Sequence, residues 1–240
     1  MSKSKKDASP AIRYLAELRS RLLVVLLVVL AGAIVVYGFR EAALHALLWP
    51  LHSVNPTLNV VYTGVGDMFF AYLKIAIYGG VALAIPVLCA QVWLFLRPAL
   101  KAHERRNVGV ILLLAPLLFY GGMAFAWGAV MPLAIQFFLG FANADVAAMP
   151  TLDAYMSFTL KMLLAFGLTF LAPAGMLVCI HMGVVRAATF ATYRRHTIVG
   201  IFIVAAVLTP PDPLSQLLLA VPLLVLFEGT LLLAKIVHQP

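Results

Sequence analysis

Chemistry in this chain would have to come from a handful of carboxylates. Nine of the 240 residues are acidic, against 17 Lys and Arg, for a net charge of +8. Glu17 stands four residues from both Arg13 and Arg21, and Glu104 sits among Arg97, Lys101, Arg105 and Arg106. A spacing of four favours ion pairing along one helix face, which would make Glu17 a helix-stabilising residue. An acid at a helix start, where Glu104 falls, is favoured by the helix dipole. The functional alternative is that isolated carboxylates in a basic rim form pockets for a cationic ligand. Arginine suits such a pocket, because its planar fork donates two parallel hydrogen bonds to a carboxylate. Spacing alone leaves both readings open.

Catalysis has less to draw on. The sequence holds no serine in a Gly-x-Ser-x-Gly turn, no His-Glu-x-x-His and no phosphate-binding glycine loop. His45 and His52 fall in an outer loop, while His103, His181, His196 and His238 fall near helix ends, so neither haem nor a metal centre is expected. Cys89 and Cys179 lie inside apolar runs and read as packing thiols rather than a disulfide or zinc framework. The chain is not read as an enzyme: no catalytic residue, metal or cofactor is assigned.

The elements that position the acids follow from hydropathy. The chain is 64% hydrophobic and 11% charged, where a soluble domain carries roughly 25% charged residues. Lipid must be its solvent, since a hydrocarbon core of about 30 Å takes about 20 apolar residues to cross. The expectation is an all-α integral membrane protein with six transmembrane helices. Residues 1–21 are polar and basic, with Ile12, Leu15, Leu18 and Leu22 at helical spacing. They predict an amphipathic helix along the membrane surface. The first span, 22–39, reads as an anchor rather than a cleaved signal. An outer loop over 41–67 lacks Lys and Arg after Arg40. Further spans are predicted at 68–96, with Lys74 snorkelling to the interface, at 108–133, and at 155–182, with Lys161 near its start.

The last two spans are short. The apolar stretch 198–208 covers about 17 Å, and Thr209-Pro210-Pro211-Asp212-Pro213 must break the helix. The chain returns through 214–227 until Glu228 interrupts it. Such a pair spans by thinning the bilayer locally. Fourteen of the 17 Lys and Arg fall in the N-terminus, the loops after the second and fourth spans, and the C-terminus. By the positive-inside rule these face the cytoplasm, both termini included. The basic excess is thus a topology signal, and nucleic acid is not expected as a partner. The chain divides into the segment 1–21, a six-helix domain over 22–236 and a tail over 237–240.

Several motifs fall in order along nearly the whole chain. Tyr14-Leu15-Ala16-Glu17-Leu18-Arg19-Ser20-Arg21 resembles the N-terminal His-Leu-x-Glu-Leu-Arg-x-Arg pattern of the TatC family, with Tyr14 for the usual His. Phe95-Leu96-Arg97-Pro98-Ala99-Leu100 with His103-Glu104-Arg105-Arg106 resembles that family's first cytoplasmic loop. Asp67, Phe69 and Lys74 resemble the start of its second helix. Leu208-Thr209-Pro210-Pro211-Asp212 with Ser215-Gln216, Ala220-Val221-Pro222 and Phe227-Glu228 resembles its last hairpin. One position departs: Phe166-Gly167-Leu168-Thr169-Phe170-Leu171-Ala172-Pro173 keeps the family's frame on the fourth helix but has Leu171 where the family has an acid.

The resemblance implies a receptor and core subunit of the twin-arginine translocase in the bacterial cytoplasmic (inner) membrane. Such a subunit works with TatA- and TatB-like single-span proteins, in a receptor complex containing further copies of itself. It exports folded cargo using the proton-motive force. It implies that Glu17 and Glu104 receive the two arginines of a signal peptide, supported by Leu18, Arg19, Phe95, Pro98 and Arg105. It places partner docking at Pro210, Pro211, Asp212, Gln216 and Glu228. With Leu171 in place of the acid, a partner helix docking there would carry an apolar or small facing residue. The alternative is a small secondary transporter or ion carrier, for which Lys74, Lys161 and Glu228 would supply charges in or near the spans.

Overall fold

The computed structural model describes residues 10–141, 149–185, 192–208 and 213–237. Helix α1, Pro10–Gly38, runs unbroken from the basic N-terminal stretch into the first span. The predicted surface helix is therefore the first part of the same rod, because neither proline nor glycine interrupts 11–31. Helix α2, Arg40–Val54, occupies half of the predicted outer loop. Helix α3 is Asp67–Leu96, and a 3₁₀ turn, Arg97–Ala99, leads to α4, Ala102–Phe125. A π-helical turn, Ala126–Val130, joins α4 to α5, Met131–Leu139, so this span outruns its predicted end. Helix α6, Leu152–Phe170, and α7, Ala172–His181, form the fourth span. The hairpin is α8, Arg194–Leu208, and α9, Pro213–Val237.

Four stretches are long and apolar enough to cross a membrane: Leu15–Gly38, Asp67–Leu96, Glu104–Leu139 and Leu152–His181. The hairpin supplies the shorter pair: α8 has 15 residues, and the apolar part of α9, Gln216–Leu232, falls in the shorter class as well. Helix α9 does not stop at Glu228, as the sequence suggested, but continues to Val237. A single carboxylate in a strong helix former's context ends an apolar run without ending the helix.

Two crossings hold the bundle. A Cβ on Gly80 of α3 would lie 2.6 Å from the Val29 carbonyl of α1, and one on Gly32 of α1 would lie 3.2 Å from Gly80. The second crossing joins α4 to α6. There a Cβ on Gly122 would lie 2.7 Å from the Phe166 carbonyl, and one on Gly167 would lie 2.6 Å from the Phe119 ring. Lipid gives helices no hydrophobic reason to associate, so close backbone approach at small residues supplies the contact area. Around α6 the core gathers Met156, Met162 and Phe166 with Ala71 and Ile75 of α3, Met131 of α5, and Ala205 and Ala220 of the hairpin.

Prolines mark where the backbone needs outside partners. Pro50 has no N–H for the Ala46 carbonyl one turn back. That carbonyl instead accepts from Trp127 Nε1 at 2.9 Å, and the neighbouring Leu47 carbonyl accepts from the Tyr155 hydroxyl at 2.8 Å. Trp49 stacks on Trp127 with ring centroids 4.3 Å apart. These contacts fix α2 over the C-terminal end of α4 and the start of α6. Pro173 likewise deprives the Thr169 carbonyl, and the helix breaks at Leu171. The segments leading into α3 and α6 meet in a parallel pairing, with Val61 N–H donating to the Pro150 carbonyl and Leu152 N–H to the Val61 carbonyl.

Candidate functional site

Glu17 lies seven residues inside the start of α1, half exposed, and its carboxylate pairs with Arg21 at 2.5 Å. Arg21 reaches further: its guanidinium donates at 3.2 Å to the Gln91 side-chain oxygen and at 3.5 Å to the Gln91 carbonyl. Gln91 is near the end of α3, so this chain of contacts ties the start of α1 to the end of its antiparallel neighbour. Glu104 follows a few residues later, in the first turn of α4. Both acids therefore stand at one end of the bundle. The Lys101 backbone N–H donates to the Glu104 carboxylate at 3.1 Å. This is one arm of a capping box, with a lysine where Ser or Thr would normally sit. The helix-stabilising readings of Glu17 and Glu104 are thus both realised in the structure, and neither carboxylate is enclosed.

The residues expected to support the acids share this end. Leu18 and Arg19 are exposed on α1, and Pro98 is exposed in the 3₁₀ turn, while Phe95 is partly buried. Arg105 donates from Nε to the Leu100 carbonyl at 3.1 Å, which anchors its exposed guanidinium beside the turn. Leu100 itself is buried with Val108 and Val178, so the turn is pinned to α4 and α7 from below. The result is a rim of cations interrupted by two acids, with Arg21 and Arg105 held by hydrogen bonds, on an apolar foundation.

The hairpin residues divide. Pro210, Pro211 and Asp212 lie outside the described residues. Gln216 Nε2 donates to the Phe202 carbonyl at 3.1 Å, closing the hairpin on itself. Glu228 takes both nitrogens of a fork from Arg194, with Nε at 2.6 Å. Hydrogen bonding to Glu228, then its charge, pushes the Arg194 guanidinium above its ordinary value. Sequence reasoning missed this pair, although a signal existed: the two residues lie at nearly equal distances on either side of the proline turn, where an antiparallel hairpin makes them neighbours.

Lys74 does not snorkel. It donates to Asp153 at 2.5 Å and to Ser157 at 2.8 Å, two residues one turn apart on α6. Asp67 caps the preceding turn, accepting from the Thr63 and Gly64 N–H groups at 2.9 and 2.8 Å. Lys161 is exposed on α6. A transporter's charged cluster is not what Lys74, Lys161 and Glu228 make, since each has a separate place and the first and last have their own partners. Leu171 is mostly buried against Phe119, Ala115, Ala82 and Ala174. It packs on the chain's own α3–α4 core.

Residues 13–222 match the family model of the Sec-independent protein translocase protein (TatC). Proteins named Sec-independent protein translocase protein TatC are similar over most of their lengths. The one from Magnetococcus marinus is 39% identical, covering 93% of this chain and 83% of that protein. The one from Escherichia coli K12 is 37% identical, covering 94% and 88% respectively. A crystal structure of the twin-arginine translocase receptor TatC superposes with a TM-score of 0.85 at 34% identity, covering 94% of this chain and all of that one. The fold, the motif order and these similarities agree: the chain belongs to the TatC family of Sec-independent protein translocase proteins.

Proposed function

We propose that this chain is the signal-peptide receptor and core subunit of a twin-arginine translocase, with Glu17 and Glu104 as the seats of the two arginines. The observation that carries this reading is the placement of both family-motif acids at one end of a TatC-family bundle, within an otherwise cationic rim. Leu18, Arg19, Phe95, Pro98 and Arg105 form the surroundings of the peptide. An incoming arginine competes with Arg21 for Glu17, and the exchange is cheap because Arg21 keeps both Gln91 oxygens when it lets go. At Glu104 the incoming fork adds to a carboxylate that already accepts from the Lys101 N–H. Each charge-assisted pair contributes about 1.5–3 kcal/mol at a partly buried site.

The site faces the cytoplasm of a bacterial inner membrane in this reading, with both termini on that side. TatA- and TatB-like single-span partners dock along the hairpin near Gln216, Glu228 and the segment Pro210-Pro211-Asp212. Further copies of the chain join the receptor complex, and folded cargo leaves at the expense of the proton-motive force. The test is photo-crosslinking of a twin-arginine peptide to the purified protein in membranes. Glu104→Arg and Glu17→Arg should each abolish the crosslink while the protein still inserts. Unchanged crosslinking in both variants would leave the two acids with helix stabilisation alone.

A further inference from the structure

A second feature of the same end points to a different ligand. Between α3 and α4 lies a groove of about 660 Å³, lined almost wholly by apolar side chains, among them Cys89 and Trp93 on α3 and Gly109, Leu113, Pro116 and Leu117 on α4. Gly109 keeps its mouth narrow but open: a Cβ there would lie 3.2 Å from the Trp93 ring. From Gly109 to Leu117 the groove runs about 12 Å along α4, most of the roughly 15 Å depth of one leaflet's hydrocarbon.

The mouth of this groove is cationic. On α4, at about 100° per residue, Arg105 and Arg106 fall roughly 50° to either side of the face presented by Gly109, Leu113 and Pro116, while Glu104 falls about 150° away from it. On α3, the Arg97 N–H donates to the Trp93 carbonyl, so Arg97 stands one turn beyond Trp93 on the same side. All three arginines are exposed, and none forms an ion pair among the described residues. Arg105 is held in place by its bond to the Leu100 carbonyl. An apolar slot would accept any acyl chain, and three arginines would attract any anion. Their junction selects a molecule that is both.

We infer that the α3–α4 groove binds an anionic phospholipid of the adjoining leaflet, an acyl chain lying along Trp93 and Leu113 and the phosphate held by Arg97, Arg105 and Arg106. Basic pockets between membrane helices hold lipid headgroups by this combination, each Lys or Arg strengthening association about fivefold. Glu104 of the peptide site points to the other side of α4, and of the three arginines only Arg105 is shared with the peptide's surroundings.

The experiment is native mass spectrometry of the full chain in mild detergent, incubated with equal amounts of phosphatidylglycerol and phosphatidylcholine of matched chains. The wild type should retain phosphatidylglycerol at least about tenfold more than phosphatidylcholine. Arg97→Gln/Arg106→Gln should remove most of that preference and leave phosphatidylcholine retention unchanged. Lys5→Gln/Lys6→Gln, the same charge change elsewhere in the chain, should leave the preference intact. Ala90→Trp, which fills the groove, should lower retention of both lipids. Equal retention of the two lipids by the wild type, or an unaltered preference in Arg97→Gln/Arg106→Gln, would overturn the site. Displacement of phosphatidylglycerol by millimolar glycerol phosphate, or no effect of Ala90→Trp, would overturn the groove's part in it.

Discussion

At the scale of single residues, stability and recognition compete for the same carboxylates. Glu17 is an i,i+4 partner of Arg21 before it is anything else. Such a half-exposed pair contributes about 0.3–0.5 kcal/mol to its helix, far less than a desolvated arginine fork would return. On the proposed reading Arg21 is a placeholder that keeps the carboxylate oriented until a peptide arginine replaces it. If so, Arg21→Gln should strengthen binding of a twin-arginine peptide two- to threefold, the competition being worth about 0.5 kcal/mol. Titration of a fluorescent peptide against both proteins in nanodiscs would measure it; a weaker affinity in the variant would make Arg21 a contact rather than a competitor. Glu17 was singled out by residue type and spacing, because a motif lies within one helical stretch. Lys74–Asp153 and Arg194–Glu228 were not, because each joins positions brought together only by packing of antiparallel helices. Hydropathy assigned both charges to span ends and could say nothing of what stood opposite.

At the scale of elements, the spans were legible and their breaks were partly so. Long apolar runs leave little choice of secondary structure, since lipid offers no partner for unpaired backbone groups. The helix over 40–54 was not legible: its apolar face is short, and Pro50 argues against helix. What permits it is the tertiary donation of Trp127 to Ala46, which no local pattern announces. Glycine crossings were hidden for the same reason, as a glycine at a helix contact looks like any other in sequence. They are nevertheless decisive for packing. Gly167→Ala places a methyl 2.6 Å from the Phe119 ring, which is itself fully buried and cannot retreat. The cost should be about 1–3 kcal/mol, read as a lower midpoint in a detergent–urea melt. Gly175→Ala on α7, where nothing lies within 4 Å of the new methyl, should change the midpoint by no more than about 0.5 kcal/mol. Equal losses at the two sites would mean that intrinsic helix propensity, rather than the α4–α6 crossing, governs the response.

At the scale of the whole molecule, one asymmetry organises everything else. One end carries Glu17, Glu104, Arg97, Arg105, Arg106 and the mouth of the α3–α4 groove; the other end carries α2, the Trp49–Trp127 stack and the pairing of Val61 with Thr151. The first end leaves both carboxylates partly exposed, whereas the second is tied together by the Trp127 and Tyr155 donations to carbonyls of α2. A receptor needs that division, with a rigid far end to fix the helix spacing and an open near end whose ion pairs can exchange. The division also makes orientation testable without any peptide. After replacement of Cys89 and Cys179 by alanine, single cysteines at Ser53, near the end of α2, and at Ala102, the first residue of α4, report opposite ends. In intact cells a membrane-impermeant maleimide should label the Ser53 cysteine and spare the Ala102 cysteine, and opening the cells should expose the latter. The basic rim then lies where the positive-inside rule puts it, on the side from which newly folded cargo arrives. Labelling of the Ala102 cysteine in intact cells would turn the molecule over, placing Glu17 and Glu104 where no cytoplasmic signal peptide could reach them.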